Sequence, residues 1–356
     1  MPEQYHRLME IKNLKKYFPL QTGFLGTGSV ETVKAVDDVS FHIESGETLG
    51  LVGESGSGKT TIGRSILRAI EPSSGSVHFE PREGESFDII ELNKKEMKAV
   101  RRHMQMIFQD PYSSLNPRMT VRDIIAEPLV VNKLLKGSDI DERVREIALR
   151  CRLNVEHLRR FPHAFSGGQR QRIGIARALV MHPKFIVCDE AVSALDVSVQ
   201  AEILNLLGDL QKEFGLTYLF IAHDLSAVEY ISDRIAVLYL GRIVEVAPSK
   251  ELFFSPLHPY TSALMSAIPA PDPDAPMKPI ILKGEIPSPI NPPSGCHFHP
   301  RCQYVQAECE SMRPELKEYK PDHFSACHFS DSMELPGAKE LGESSSIRPS
   351  KLRSSR

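Results

Sequence analysis

The 356-residue sequence predicts an α/β fold: a core built on a strand–Gly-rich loop–helix unit, with a β-rich N-terminal part, an α-helical insert and a small Cys-rich C-terminal extension. Three observations predict it. First, the apolar run Thr48-Leu49-Gly50-Leu51-Val52 leads into Gly53-Glu54-Ser55-Gly56-Ser57-Gly58-Lys59-Thr60, and Ile62, Ile66, Leu67 and Ile70 then recur at helical spacing. Second, Phe185–Cys188 and Tyr218–Ile221 are continuous apolar runs, the mark of strands buried on both faces of a parallel sheet. Third, a helix-period segment over Val199–Phe214 lies between them, as a doubly covered sheet requires.

In chain order, residues 7–50 carry short alternating apolar segments and read as the β-rich start of a domain. The Gly-rich stretch between Phe18 and Val39 reads as a surface loop. Turn signals and short strands fill 71–95, and Lys94–Arg102 reads as a basic helix. From Asp110 to Phe165, Pro111, Pro117, Pro128 and Pro162 punctuate helical periodicity, including Asp141–Leu153, which predicts a helical subdomain at about 110–165. The nucleotide-binding domain is placed at 7–268. A Pro-rich linker opens at Pro269, with Pro271, Pro273, Pro276 and Pro279, and leads into a Cys-rich extension through 330. The polar segment 331–356 reads as a disordered tail.

Composition narrows the classes of function. A net charge of −3 gives no reason to expect nucleic-acid binding. No apolar run reaches the 18 or so residues of a membrane span, and the first residues lack the apolar stretch of a secretory signal. A cytosolic chain, able to sit on a membrane only through a partner, is the expectation. Of six cysteines, Cys151 and Cys188 lie in the body as small buried residues. Cys296, Cys302, Cys309 and Cys327 crowd near the end, and in a reducing compartment that suggests metal or cluster binding rather than disulfides.

The motifs carry specific chemistry. Glycines 53, 56 and 58 can take positive φ, so successive N–H groups turn inward into an anion nest at a helix N-terminus. Lys59 would reach the β- and γ-phosphates of a nucleotide, and the Thr60 hydroxyl would ligate Mg²⁺. Asp189 and Glu190 end the strand 185–188, at the edge where open α/β sheets place their sites. Asp189 is placed to hold Mg²⁺, and Glu190 to polarise an attacking water. Ser166-Gly167-Gly168-Gln169 opens a helix over Gln169–Val180 as a second anion-binding terminus, although an ordinary Ser cap with a Gly turn reads equally well from the residues alone. One nucleotide hardly needs two such loops in one chain, so a dimer sharing its sites is the economical reading.

The order GESGSGKT, Gln109, FSGGQ, CDE, SALD (Ser193–Asp196) and His223 resembles an ABC transporter nucleotide-binding subunit, over roughly residues 7–250. The resemblance implies a RecA-like core and ATP as substrate, with residues 53–60 and Thr61 binding it and Phe18, or neighbouring Tyr17, stacking on adenine. It implies that Gln109 senses Mg²⁺ and the attacking water, and that Ser166, Gly167, Gly168 and Gln169 meet ATP held by the opposite subunit. Asp196 would bridge the dimer, and His223 would hold the γ-phosphate and position Glu190. Phe165 and Ala191 depart from the usual Leu and Pro without removing a functional group.

Met106–Pro117 and Ser255–Thr261 narrow the resemblance to ATPases of dipeptide/oligopeptide importers, most similar to the second (F-type) of the two paired ATPases; nickel importers use closely similar subunits. It implies a second ABC ATPase as heterodimer partner, two transmembrane permease subunits, an extracellular solute-binding protein, and a peripheral place on the cytoplasmic face of the membrane. A soluble ABC ATPase acting on nucleic acid is disfavoured by the single phosphate loop and acidic balance. The segment PPSGCHFHPRCQYVQAEC resembles the C-terminal extension of peptide-importer ATPases, whose four cysteines can ligate a [4Fe–4S] cluster. The spacing of Cys296, Cys302, Cys309 and Cys327 favours Zn²⁺ only weakly, and Zn²⁺ or free, redox-active thiols are the alternatives.

Overall fold

The structure, a computed structural model, describes residues 6–21, 30–110, 112–268 and 279–338. Two long strands, β1 (Arg7–Gln21) and β2 (Val30–Glu44), pair antiparallel from Arg7↔Glu44 out to Gln21↔Val30. Most of the stretch between Phe18 and Val39 is therefore a hairpin arm rather than a loop. Its glycines lie in residues 22–29, outside the described residues, while the flanking Val30-Glu31-Thr32-Val33 has the β-branched composition of a strand.

The phosphate-loop strand β3 (Thr48–Val52) is followed by α1 (Lys59–Ile66), and β4 (Ser74–Arg82) and β5 (Glu85–Asp88) complete a four-stranded sheet in the order β2-β1-β4-β5. The basic helix α2 (Lys94–Val100) ends before Arg102 and gives way to a short 3₁₀ turn, then β6 (Met104–Ile107). The helical insert contains α3 (Val121–Val131) and α4 (Ser138–Arg150), which pack on α5 (Gly167–Leu179). Beyond it run β7 (Phe185–Asp189), α6 (Val197–Phe214), β8 (Thr217–Ile221), α7 (Leu225–Ile231), β9 (Arg234–Tyr239) and β10 (Arg242–Pro248). Helices α8 (Ser249–Phe254), α9 (Pro259–Ser266) and α10 (Ala307–Ser311) and strands β11 (Lys317–Lys320) and β12 (His323–Ser325) follow.

The main sheet has eight strands in the order β11-β12-β10-β9-β3-β8-β7-β6. Strand β3 pairs parallel with β8 and β9, and β7 parallel with β6 and β8. Strands β3, β7 and β8 are buried at every residue. Along β7, Phe185 and Val187 join the core cluster that contains β1, β2 and α1, whereas Ile186 and Cys188 join the one beneath the helical insert. Both faces of the sheet are covered, which explains why these strands read as unbroken apolar runs.

The Cys-rich segment is stitched onto this sheet. Strand β12 pairs with β10 through Glu245↔Ser325 and Val246↔Phe324. The fully buried Glu245 carboxylate accepts hydrogen bonds from the Leu257 and His258 amides at 2.7 and 3.0 Å, and meets His323 Nε2 at 2.7 Å. A buried carboxylate with three partners is strongly destabilising to break, because any loss strands a charge away from water. Residues 331–338, expected to be tail, pack instead against α8 and α9: Leu335 is buried, and Ser262 Oγ donates to the Pro336 carbonyl at 2.7 Å. The rest of the expected tail, 339–356, and the prolines from 269 to 276 lie outside the described residues.

Candidate active site

Loop 53–58 takes the conformation its glycines permit. Gly53, Gly56 and Gly58 have φ of 149°, 76° and 108°. At Gly53 a Cβ would lie 2.1 Å from the Leu238 carbonyl oxygen, and at Gly58 2.1 Å from that of Ala35, so no other residue fits either position without moving backbone. Lys59 Nζ lies under the loop, donating to the Gly53 and Glu54 carbonyls at 2.7 and 2.9 Å. Burial lowers its pKa, opposed by the Glu190 and Asp189 carboxylates.

Thr60 Oγ1 donates to Asp189 Oδ1 at 2.7 Å, joining the start of α1 to the end of β7. Burial raises the Asp189 pKa, with the Thr60 hydrogen bond and Arg64 opposing it. A hydroxyl and a carboxylate side by side are hard oxygen donors of the kind Mg²⁺ uses alongside substrate phosphates, so this pair fits the ion.

Glu190 follows with φ +49°, a left-handed conformation unusual for a non-glycine, and its N–H donates to the Ile221 carbonyl at 2.9 Å. That turn aims its carboxylate at two partners from other elements. Gln109 Nε2 donates to Glu190 Oε2 at 2.7 Å, and His223 Nδ1 lies 3.4 Å from the same oxygen. Three residues separated by up to 114 positions thus meet at one carboxylate, adjacent to the Asp189–Thr60 pair. A base held by two polar groups beside a phosphate cradle can orient and deprotonate a water.

The remaining sequence-predicted residues form a second group. Ser166 caps α5: its Oγ accepts from the Gln169 amide at 3.3 Å, and Gln169 Oε1 accepts from the Ser166 amide at 3.1 Å. At Gly168 a Cβ would come within 2.4 Å of Val199 Cγ1, so the glycine lets α5 approach α6. Asp196 caps α6, accepting from the Val199 amide at 3.0 Å, and the hydrogen bond from Ser198 holds its pKa down. Ser166 and Asp196 are solvent-exposed. Tyr17 and Phe18 share β1, but the Tyr17 hydroxyl is committed to Asp37 at 2.5 Å, while Phe18 offers its ring to Lys16 Nζ at 4.8 Å.

The four C-terminal cysteines line one small cavity with Phe298, His299, Tyr304 and His328. All four are free thiols. Among the described residues, no group of three or more His, Cys, Asp or Glu side chains is placed to hold a metal ion. Burial pushes the pKa of Cys296, Cys302 and Cys327 up to about 11, and the amides of Phe298, Tyr304 and Phe329 oppose it by hydrogen bonding to the sulfurs. In each case the amide lies two residues after its cysteine, and for Cys302 the N···S distance is 3.4 Å. Sequence reasoning missed Arg301 and Tyr260, which bond Glu54 of the phosphate loop, and Tyr239, whose hydroxyl lies 3.5 Å from Arg301; the one signal was Glu54, an acidic residue in a loop otherwise built from Gly, Ser, Lys and Thr.

A phosphate cradle on β3, a paired acidic strand end on β7 and a second capped Gly terminus on α5 define an ATP-binding cassette. The ABC transporter family matches residues 36–193, and the oligopeptide/dipeptide transporter C-terminal region matches residues 244–309. The oligopeptide transport ATP-binding protein AppF of Bacillus subtilis is 50% identical over 325 residues, covering 90% of this chain and 97% of AppF. Among solved structures, cbiO1 from Clostridium perfringens, part of the ABC transporter complex cbiONQ, is 27% identical with a TM-score of 0.59, covering 70% of this chain and 91% of that one. The ATP-binding cassette MJ0796, in a dimeric post-hydrolysis state bound to ADP and Pi, is 27% identical with a TM-score of 0.58, covering 68% and 98%. The chain belongs to the ABC transporter ATP-binding proteins, in the branch that carries the oligopeptide/dipeptide C-terminal region.

Proposed function

We propose that this chain is the ATP-hydrolysing subunit of a peptide importer, peripheral to the cytoplasmic face of the membrane. Among the described residues no helix is long and apolar enough to cross a bilayer, so transport requires separate membrane-spanning subunits. The observation that carries the reading is the convergence of Gln109 and His223 on Glu190 next to Thr60–Asp189, joined on one chain to the peptide-transporter C-terminal region.

In this reading the nest of amides from residues 53–61 and the Lys59 ammonium bind the phosphates of ATP and stabilise the charge that spreads over them. Mg²⁺, held by Thr60 and Asp189 with Gln109 nearby, would neutralise phosphate charge. Glu190 takes the proton of the attacking water, His223 holds the γ-phosphate and fixes the Glu190 rotamer, and Phe18 stacks on adenine. The exposed terminus Ser166–Gln169 of one subunit closes on ATP held by the other, with Asp196 bridging them. The dimeric MJ0796 cassette supports such closure. The partner ATPase is a sibling subunit rather than a second copy, as the paired systems this chain resembles imply.

Coupling runs through Gln109. Next to the neighbouring Phe108 lies a groove of mixed lining, with Leu67, Ile70 and Met106 beside Arg64, Arg101 and Arg177, suited to a cytoplasmic helix of a permease. The four cysteines hold a [4Fe–4S] cluster. Four thiols lining one cavity are the observation that supports it. Its place beside the buried Phe298 and His258 suits a structural role. The test is an affinity pull-down from native membranes: two multi-spanning permeases and a second ATPase should accompany the chain, and recovery without any membrane-spanning protein would overturn the reading.

A further inference from the structure

The cysteine-bearing turn reaches the phosphate loop from behind. Arg301, next to Cys302, donates from Nη1 to Glu54 Oε2 at 2.8 Å and from Nη2 to Glu54 Oε1 at 3.0 Å. The pair is bidentate, the Arg301 side chain is only 8% exposed, and Glu54 holds the guanidinium pKa above its usual value. Phe298, three residues earlier, is fully buried edge-on against Tyr239, with ring centroids 5.3 Å apart. Residues 298 and 301 thus fasten the turn to the framework that carries the loop.

Glu54 is the joint. Its carboxylate takes Arg301, its amide donates to the Tyr260 hydroxyl at 2.9 Å, and its carbonyl accepts from Lys59 Nζ at 2.9 Å. All three polar groups of one residue are spoken for, and the third partner is the lysine expected to meet the phosphates. A loop with positive φ at three glycines is costly to hold in one shape, and an anchor that fixes it before ATP arrives reduces the ordering cost of binding.

We propose that Arg301 is a positioning residue for ATP. It acts through Glu54: it fixes that residue, and through the Glu54 carbonyl it sets where Lys59 waits. The cysteine extension is thereby part of the nucleotide site's framework. This rests on the ATP-site reading above, and the experiment separates the two.

The test uses the full-length protein, with equilibrium affinity for Mg-ATP, KM, kcat and thermal midpoint measured for each variant. Arg301→Ala should weaken ATP binding and raise KM about tenfold, equivalent to about 1.4 kcal/mol, with kcat changed less than KM. Arg301→Lys, which keeps the charge and loses the fork, should fall between wild type and Arg301→Ala. In a Glu54→Ala background, Arg301→Ala should have no further effect on affinity. The same loss in both backgrounds, or a lowered thermal midpoint with unchanged affinity, would overturn the inference and leave Arg301 a merely structural residue. If Arg301→Ala does not fold, Arg301→Lys carries the test, and wild-type affinity in that variant would overturn it. A wild-type protein with no ATP affinity would instead overturn the ATP-site reading, and this inference with it.

Discussion

Replacing Glu190 by Gln removes a proton acceptor and almost nothing else. The two side chains are isosteric, and the amide oxygen of Gln can still accept from Gln109 Nε2, now 2.7 Å from the carboxylate. The left-handed backbone at 190 and its hydrogen bond to Ile221 do not involve the side chain. Lys59, the 53–58 loop and the Thr60–Asp189 pair are untouched, so affinity for ATP should stay within about twofold. The hydrolytic step should lose what general-base catalysis supplies, about 10²–10⁴-fold, or about 2.7–5.4 kcal/mol of barrier. Single-turnover phosphate release, run beside equilibrium ATP binding and light scattering, reads each part. The variant should bind ATP, accumulate as a closed dimer and release phosphate at under a hundredth of the wild-type rate, about the smallest loss consistent with a lost base. Turnover close to wild type would remove Glu190 as the base. A parallel loss of affinity would make it a binding residue.

Lys59→Ala should weaken ATP binding at least about tenfold, since a charged hydrogen-bond donor to phosphate is lost and the Gly53 and Glu54 carbonyls each lose a donor; calorimetric titration showing retained affinity would contradict the loop assignment. Cys302→Ser should abolish bound iron and brown colour in protein prepared without oxygen and lower its thermal midpoint. A colourless, iron-free wild type would rule the cluster out. His258 gives a pH dependence: burial drops its pKa to about 3, and its Nδ1 accepts from the Tyr260 amide. As pH falls below about 6.5 the unfolded chain takes up the proton first, so stability is lost between about pH 6.5 and 3, by roughly 2 kcal/mol at pH 5. Denaturant titrations should show that loss shrinking in His258→Asn, which keeps a capping acceptor; an unchanged acid loss would refute the assignment.

What the sequence made legible was local or strongly periodic. The phosphate loop could be read because Gly53 and Gly58 are demanded by backbone contacts that no side chain tolerates, and the flanking strand and helix carry their own patterns. Strands β7 and β8 were plain because burial on both faces removes alternation. Glu190, Gln109 and His223 were found through motif order, yet their meeting depends on parallel pairing that no short window contains. The hairpin arm was hidden by the glycines between its strands. Strands β11 and β12 were missed because they are short and β11 is largely exposed, and their place at the sheet edge rests on the buried Glu245–His323 contact across 78 residues. Likewise Arg301 and Glu54 are 247 residues apart, and only folding makes them partners.

The account's central claim is that ATP turnover at Glu190 drives peptide entry. Its most direct test is the complex co-isolated with this chain, reconstituted in vesicles with ATP on the side of the ATPase and labelled oligopeptide with binding protein on the other. Peptide should accumulate only with ATP, and not at all with Glu190→Gln. ATP hydrolysis without peptide movement, or uptake undiminished in that variant, would contradict the account.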